Sequence, residues 1–286
     1  MQNILSFYNN KKFFSFGRNW RNYVKNVVNE YVINKAKESL LKYLPKEEFE
    51  DKIFIDVGCG SGLFSLAALM LGVKKVISFD KDEICIETTN LLKEKFKRFI
   101  PENSEWRVFV GDIMDNNLVE KFKCSGDIVY SWGVLQFTGD MWKAIENVTK
   151  IVNSNGYLII SIYNHTNTSF AWKKIKEFYN QQVLLRPLLE IIYGLFVCIG
   201  YVLKRKTLNL YRERGMHVFY DAIDWLGGYP YEFACFDEVK NYVENFCFKL
   251  ISAPRKLPCD KTQTKNILKI LRAANTGCNE FVFKKI

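Results

Sequence analysis

The sequence predicts an α/β fold: a mixed sheet of seven strands with helices on both faces, and an inserted helical lid. Three observations carry this. Residues 53–69 read as a strand, a glycine turn and a helix (IFIDVGCGSGLFSLAAL). Strand-like and helix-like segments then alternate as far as Tyr163. Residues 166–232 interrupt that alternation with an apolar, helical stretch before the last two strands.

The glycine turn organises the rest. Ile53, Phe54 and Ile55 favour extended backbone. Leu63, Leu66, Ala67 and Leu69 have helical spacing. Between them, Gly58, Gly60 and Gly62 supply backbone angles closed to other residues and let a ligand approach the main chain. Free N–H groups at the start of the new helix point at whatever binds above. A dinucleotide fingerprint needs G-x-G-x-x-G, and here Leu63 occupies the third glycine position. The lysine of a phosphate loop is missing as well. A dehydrogenase is therefore the weakest reading.

The register Asp56-x-Gly58-x-Gly60-x-Gly62 resembles the first motif of the class I S-adenosylmethionine-dependent methyltransferases. That resemblance implies a Rossmann-like sheet and S-adenosyl-L-methionine as cofactor, with S-adenosyl-L-homocysteine as product. It assigns Asp56, Gly58, Cys59, Gly60 and Gly62 to the cofactor site.

Composition bounds the alternatives. A chain of 286 residues accommodates one enlarged domain or a domain plus a lid. We divide it into 1–165, an N-terminal cap and the cofactor-binding half; 166–232, the lid with the acceptor pocket; and 233–286, the rest of the sheet domain. The formal charge of +10 favours anionic partners. The lysines are dispersed rather than gathered in a basic arm, so nucleic acid is not the expected partner. Eight cysteines show no C-x-x-C pair, and the first residues do not read as a secretory leader. A reducing, cytoplasmic setting is expected. With two histidines, His165 and His217, no histidine-rich metal site is expected.

The elements follow in order. Residues 1–21 are aromatic and basic, with Phe7, Tyr8, Phe13, Phe14, Phe16 and Trp20. They cap the core, or Arg18, Asn19 or Trp20 folds over the methionine end of the cofactor. An apolar stripe over 23–44 predicts one helix ended by Pro45. The second strand, 74–80, ends in Asp80, about 20 residues past the first glycine, where an acid accepts ribose hydroxyls. Lys81 follows it and opens a helix that runs to about residue 99. The third strand, 106–110, leads to Asp112 and Ile113, which match the family's adenine-binding pair.

The fourth strand, 126–132, brings Ser131 and Trp132 to the family's fourth motif. No D/N-P-P-aromatic run stands there, as amino-directed nucleic-acid methylases have. The Pro258-Cys259 pair lies too far downstream to mark a pyrimidine-C5 enzyme. The segment resembles the small-molecule, ubiquinone-methylase-like branch. Many of its members have paired histidines where this chain has Gln136 and Phe137, so Gln136 is not assigned as a base. Asn155-Gly156 makes a turn into a fifth strand, 157–163. Tyr163, Asn164 and His165 then face the pocket, because ligands bind off the carboxyl ends of such strands.

Within the insertion, 191–203 is a run of 13 residues without a charge. Roughly 20 are needed to span a bilayer. A helical lid or a dimer face is expected, with a membrane-surface helix as the alternative. Residues 211–232 concentrate Arg214, His217, Asp221, Asp224, Trp225 and Tyr229. The run D-x-x-D-W-L-G-G-Y-P resembles one in small-molecule methyltransferases, some linked to surface-glycan pathways. Tyr163, Asn164, Arg214, Asp224, Trp225 and Tyr229 are the expected acceptor contacts. A sixth strand ends near Ser252, a connection with a basic helix occupies 253–277, and a last strand covers 280–284.

The reaction implied is in-line methyl transfer to a small-molecule acceptor, most simply an oxygen of a glycan or quinone precursor. A neutral hydroxyl requires a base, for which His217 has the natural pKa, with Asp221 orienting it or acting itself. An anionic acceptor needs none, and Arg214 and His217 then act as anchors. An RNA methyltransferase and a non-catalytic cofactor-binding protein remain as alternatives. A monomer or a homodimer is expected, with no transmembrane span.

Overall fold

The structure is a computed structural model that describes residues 14–266 and 277–286. The expectations for Phe7, Tyr8 and Phe13, and for a basic helix within 267–276, lie outside the described residues.

Seven strands form one sheet: β1 (Ile53–Val57), β2 (Lys75–Asp80), β3 (Glu105–Val110), β4 (Gly126–Trp132), β5 (Val152–Tyr163), β6 (Phe248–Arg255) and β7 (Cys278–Lys285). Their order is β3-β2-β1-β4-β5-β7-β6. β1 to β5 are parallel, and β7 runs antiparallel between β5 and β6. The order reverses between β1 and β4, so a crevice opens off their carboxyl ends.

Two-residue periodicity divides the core. Phe54, Val76, Ile128 and Ile159 face one layer, built on α1 (Phe16–Asn26), α2 (Glu30–Leu40), α3 (Leu63–Met70) and α4 (Glu83–Lys95). Ile55, Ile77, Val129 and Ile160 face the other, built on α5 (Asn116–Lys121), α6 (Met141–Ile151) and α10 (Phe236–Glu244). Residues between β5 and α10 form α7 (Ser169–Gln181), α8 (Arg186–Arg205) and α9 (Val218–Gly227). A third apolar cluster joins them to the sheet through Tyr163, Trp172, Tyr179, Trp225 and Tyr231.

Some expectations need correction. The single helix over 23–44 is two helices. α1 already contains Trp20, and Asn29 starts α2 by accepting the Val32 N–H at 3.1 Å. Asparagine competes with helical backbone and favours such a cap, which breaks the stripe there. The turn at Asn155-Gly156 is absorbed into a longer β5, with Asn155 at φ 61°. The apolar run of the insertion lies in a helix of 20 residues, long and apolar enough to cross a membrane by length and composition. Only Gly194 in it is buried. Cys235 and Cys259 are joined as a disulfide, and the other six cysteines are free.

Candidate functional site

The β1–α3 turn is built by its glycines. Gly58, Gly60 and Gly62 all have positive φ, at 73°, 54° and 75°. A side chain at Gly58 would also strike Val134, with a Cβ contact of 2.4 Å. The Gly58 and Cys59 amides donate to the Phe79 carbonyl at 2.9 and 3.1 Å, fastening the turn to β2. The Asp80 carboxylate closes the clamp, accepting from the Gly60 amide at 3.1 Å and the Asp82 amide at 2.9 Å. Trp20 lies over Gly60, its Nε1 3.2 Å from where a Cβ would stand.

Burial sets the charge at this end. It pushes Asp80 up to about 6, against the two amides that favour its ionised form. Burial likewise pushes Asp56 up to about 7; the Ser65 hydroxyl, donating at 2.5 Å, opposes this, and the nearby Asp80 charge adds to it. The Cys59 thiol is raised by burial and is not a ready nucleophile. Asp112 and Ile113 line the same cavity, and Asp112 accepts the Met114 amide at 2.9 Å.

The opposite end is formed by the insertion and the antiparallel strands. The Arg214 guanidinium lies 3.2 Å from the Trp132 ring centroid and 4.6 Å from that of Phe64. It donates to the Tyr130 hydroxyl at 3.1 Å, while its buried Nε has no protein partner. Trp132 donates to the Tyr43 hydroxyl at 3.1 Å, and Tyr43 to Glu280 at 2.9 Å. Lys42, Arg212 and Arg255 line this end as well. On α9, Asp221 is ion-paired with Arg212. Asp224 keeps one carboxylate oxygen buried without a hydrogen bond. Burial pushes Asp224 up to about 8, the Asp221 charge adds to this, and Lys176 opposes it. Lys176 itself is fully buried, 3.9 Å from the Trp225 centroid, and burial holds its ammonium well below the usual lysine range.

One cavity of about 1340 Å³ joins the two ends. Pockets for one drug-sized molecule occupy about 300–1,000 Å³, so there is room for two ligands side by side. Asp56, Asp80, Asp82 and Asp112 stand at the ends of β1, β2 and β3, while the arginines come from the insertion and β6. The first end is thus mainly acidic, whereas the second mixes arginines with Asp221, Asp224 and Glu280.

Of the residues expected at the site, Trp20, Asp56, Gly58, Cys59, Gly60, Asp80, Lys81, Asp112, Ile113 and Trp132 line this cavity. So do Tyr163, Arg214, Asp221, Asp224, Trp225 and Tyr229. Four do not. Gly62 caps α3 and packs on Thr89. Ser131 is buried, donating to the Val57 carbonyl at 3.1 Å across the β1–β4 pair. Asn164 donates to the Pro258 carbonyl at 2.7 Å and accepts from Asn279 at 2.9 Å, tying β5 to the C-terminal strands. His217 caps α9, its Nδ1 accepting the Phe219 amide at 3.3 Å. It packs between Tyr211 and Tyr220, and burial lowers its pKa. His217 thus lies outside the cavity lining, and Asp221, the partner expected for it, is ion-paired with Arg212. Tyr43, Tyr130, Arg255, Glu280 and Lys176 carry no local motif, and no spacing along the chain points to them. Only the three-dimensional packing brings them together.

A family model described as "Methyltransferase domain" matches residues 28–218. Among curated proteins, the ribosomal protein L11 methyltransferase of Hamiltonella defensa is 33% identical over 109 residues, covering 35% of this chain and 36% of that protein. The one of Staphylococcus haemolyticus is 36% identical over 111 residues, covering 39% and 32%. This chain thus spans about a third of the length of these relatives. Among solved structures, magnesium protoporphyrin IX methyltransferase from Synechocystis PCC 6803, with bound S-adenosylhomocysteine, superposes with a TM-score of 0.54. It is 13% identical and covers 94% of each chain, a likeness of fold.

Proposed function

The chain belongs to the class I S-adenosylmethionine-dependent methyltransferases, and on that footing we propose that it methylates an oxygen of a small, anionic biosynthetic intermediate. The observation that carries the acceptor class is the buried Arg214, stacked on Trp132 with its Nε unpartnered. A guanidinium fixed this way is set to pair with a carboxylate or phosphate group. A glycan or quinone precursor fits the requirement.

S-adenosylmethionine supplies, when bound, an electrophilic methyl group on a sulfonium. Asp80 is placed to accept the ribose hydroxyls, and Asp112 and Ile113 to hold the adenine. The glycine turn leaves space for the amino-acid tail, beneath Trp20. The chain's further work is positioning and exclusion of water. For a neutral hydroxyl acceptor, Asp224 is the base we propose in place of His217, because Asp224 lines the cavity and His217 does not. The Asp224 pKa of about 8 lies near the range in which a carboxylate removes a proton efficiently.

The curated relatives are named for a ribosomal protein. The lid helices crowd the acceptor end of this chain with aromatic side chains, which favours a small molecule over a protein surface. Six free thiols favour a cytoplasmic site of action, while the Cys235–Cys259 disulfide does not. The test is direct. Purified protein is incubated with methyl-labelled cofactor and a deproteinised metabolite extract, and the labelled product is identified by mass. A labelled small acid supports the reading. Label found only in added protein or RNA defeats it.

A further inference from the structure

The outward side of α8 is the largest feature that methyl transfer leaves unexplained. Leu188, Ile191, Ile192, Leu195, Ile199 and Leu203 recur at helical spacing and are each more than half exposed. Leu184 and Leu208 extend the stripe at its two ends, at 94% and 86% exposure. A continuous apolar stripe of this kind marks an interaction surface. The inward side of the same helix, including Tyr193, Val197 and Tyr201, lines the large cavity.

Two facts choose the occupant. The first is charge. Lys204, Arg205 and Lys206 stand exposed at the C-terminal end of α8, the first two also at the cavity, whereas Arg186 at the other end donates to the Asn180 carbonyl, and Glu190, the helix's acid, accepts from Tyr179 at 2.7 Å. Anionic lipid headgroups complement this basic end. The second is the direction of the helix. Glu190 is bonded to α7, Gly194 abuts Phe219 of α9, and Tyr201 donates to the Tyr211 carbonyl at 3.5 Å. The helix is therefore held along the body from its first turns to its last. Crossing a bilayer would break all three contacts, whereas lying in the interface breaks none.

We propose that α8 docks the enzyme on an anionic bilayer surface, its apolar stripe in the headgroup–acyl boundary and its basic C-terminal end among the headgroups. The cavity lies directly behind the docked helix. Only the acceptor role of that cavity rests on the function proposed above; the docking does not.

The test is flotation of the full chain with vesicles of phosphatidylcholine containing about a third phosphatidylglycerol, against phosphatidylcholine alone. The expected result is recovery with the anionic vesicles, weakened about tenfold or more when salt is raised from 50 to 500 mM (concentrations roughly spanning the loss of screening length). The variant Leu188→Glu/Ile192→Glu/Ile199→Glu should not float, yet should bind S-adenosylhomocysteine as the wild type does, which shows that it is folded. Failure of the wild type to float, or flotation of the variant, overturns the proposal. So does a wild-type dimer that the variant converts to monomer without any vesicle binding, which would assign the stripe to a second copy. S-adenosylhomocysteine binding reads the cofactor pocket separately, so failure of the docking and failure of the proposed function are distinguishable.

Discussion

The guanidinium of Arg214 stacks on the indole of Trp132 at 3.2 Å from the ring centroid, joining the inserted segment to the end of β4. Trp132 closes a parallel strand of the sheet, and Arg214 sits in a tight turn with φ 68°. The contact holds a cation in the cavity; its hydrogen bond goes to the Tyr130 hydroxyl, and Glu280 is the acid that acts on it through space.

Arg214→Lys should therefore weaken the acceptor and spare the cofactor. Lysine has no planar fork to stack and to pair bidentately. Loss of a hydrogen bond to a charged group costs about 1.5–3 kcal/mol, so the acceptor KM should rise by an order of magnitude or more. Calorimetry with S-adenosylhomocysteine should show an unchanged Kd. An equal loss at both ligands would place Arg214 in the general fold rather than at the acceptor.

Asp80→Ala should act the other way. It removes the expected ribose acceptor and the partner of the Gly60 amide together. S-adenosylhomocysteine affinity should fall about tenfold to a hundredfold, from the same range for charged hydrogen bonds. Unchanged affinity, with circular dichroism showing a folded chain, would remove Asp80 from the cofactor site.

The buried carboxyls predict a pH dependence of stability. Asp56, Asp80 and Asp224 have folded pKa values raised to about 7, 6 and 8. The folded state then holds these protons more tightly than the unfolded one, so their contribution is complete below the unfolded carboxyl pKa and is lost as pH rises through the folded values. The melting temperature should decline between about pH 4 and pH 8. Asp224→Asn should flatten the upper part of that decline. A melting temperature that climbs throughout this window, equally in both proteins, would contradict the burial of these groups.

Asp224 also predicts a rate profile. With a hydroxyl acceptor, kcat should rise with pH through about 8 as the carboxyl ionises. Asp224→Asn should lose about 10²–10⁴-fold in kcat and lose that rise. An unaltered rate would mean that the acceptor arrives already ionised and that Arg214 alone prepares it.

Gly58→Ala tests the turn. The residue has φ 73°, and an added Cβ would meet Val134 at 2.4 Å. Left-handed backbone costs an L-residue about 1–2 kcal/mol, before any clash. The melting temperature should drop by several degrees, at roughly 2–4 °C per kcal/mol for a chain of this class. Val134→Ala added to it should restore part of the loss but not the strain. Full restoration would show that backbone angle at Gly58 is unimportant.

Much of the cofactor end is legible in the sequence. Asp56, Gly58, Gly60 and Asp80 belong to one strand–turn–helix–strand unit, where chemistry follows local spacing. The acceptor end is less legible. Arg214 and Asp224 stand out along the chain as charges a core does not need, but His217, which residue type suggests as a base, caps α9 outside the cavity lining. A histidine before a helix can cap it or face a cavity, and the local sequence is the same in both cases. Asn29 shows the same limit: the apolar stripe around it continues, while its side chain accepts the Val32 N–H and starts a second helix.

The sequence alone determined the alternation of strands and helices, the glycine turn and the acid at the end of β2, because each arises from neighbouring residues and simple periodicity. The tertiary structure decided which groups share the second half of the cavity. Tyr130, Arg214, Asp224 and Glu280 come from four separate parts of the chain, and burial together with neighbouring charges sets how the Tyr130 and Asp224 protons are held. It also decided that α8 turns one side to the cavity and leaves the other uncovered. That partition depends on what packs against a helix, and periodicity records only that two sides exist.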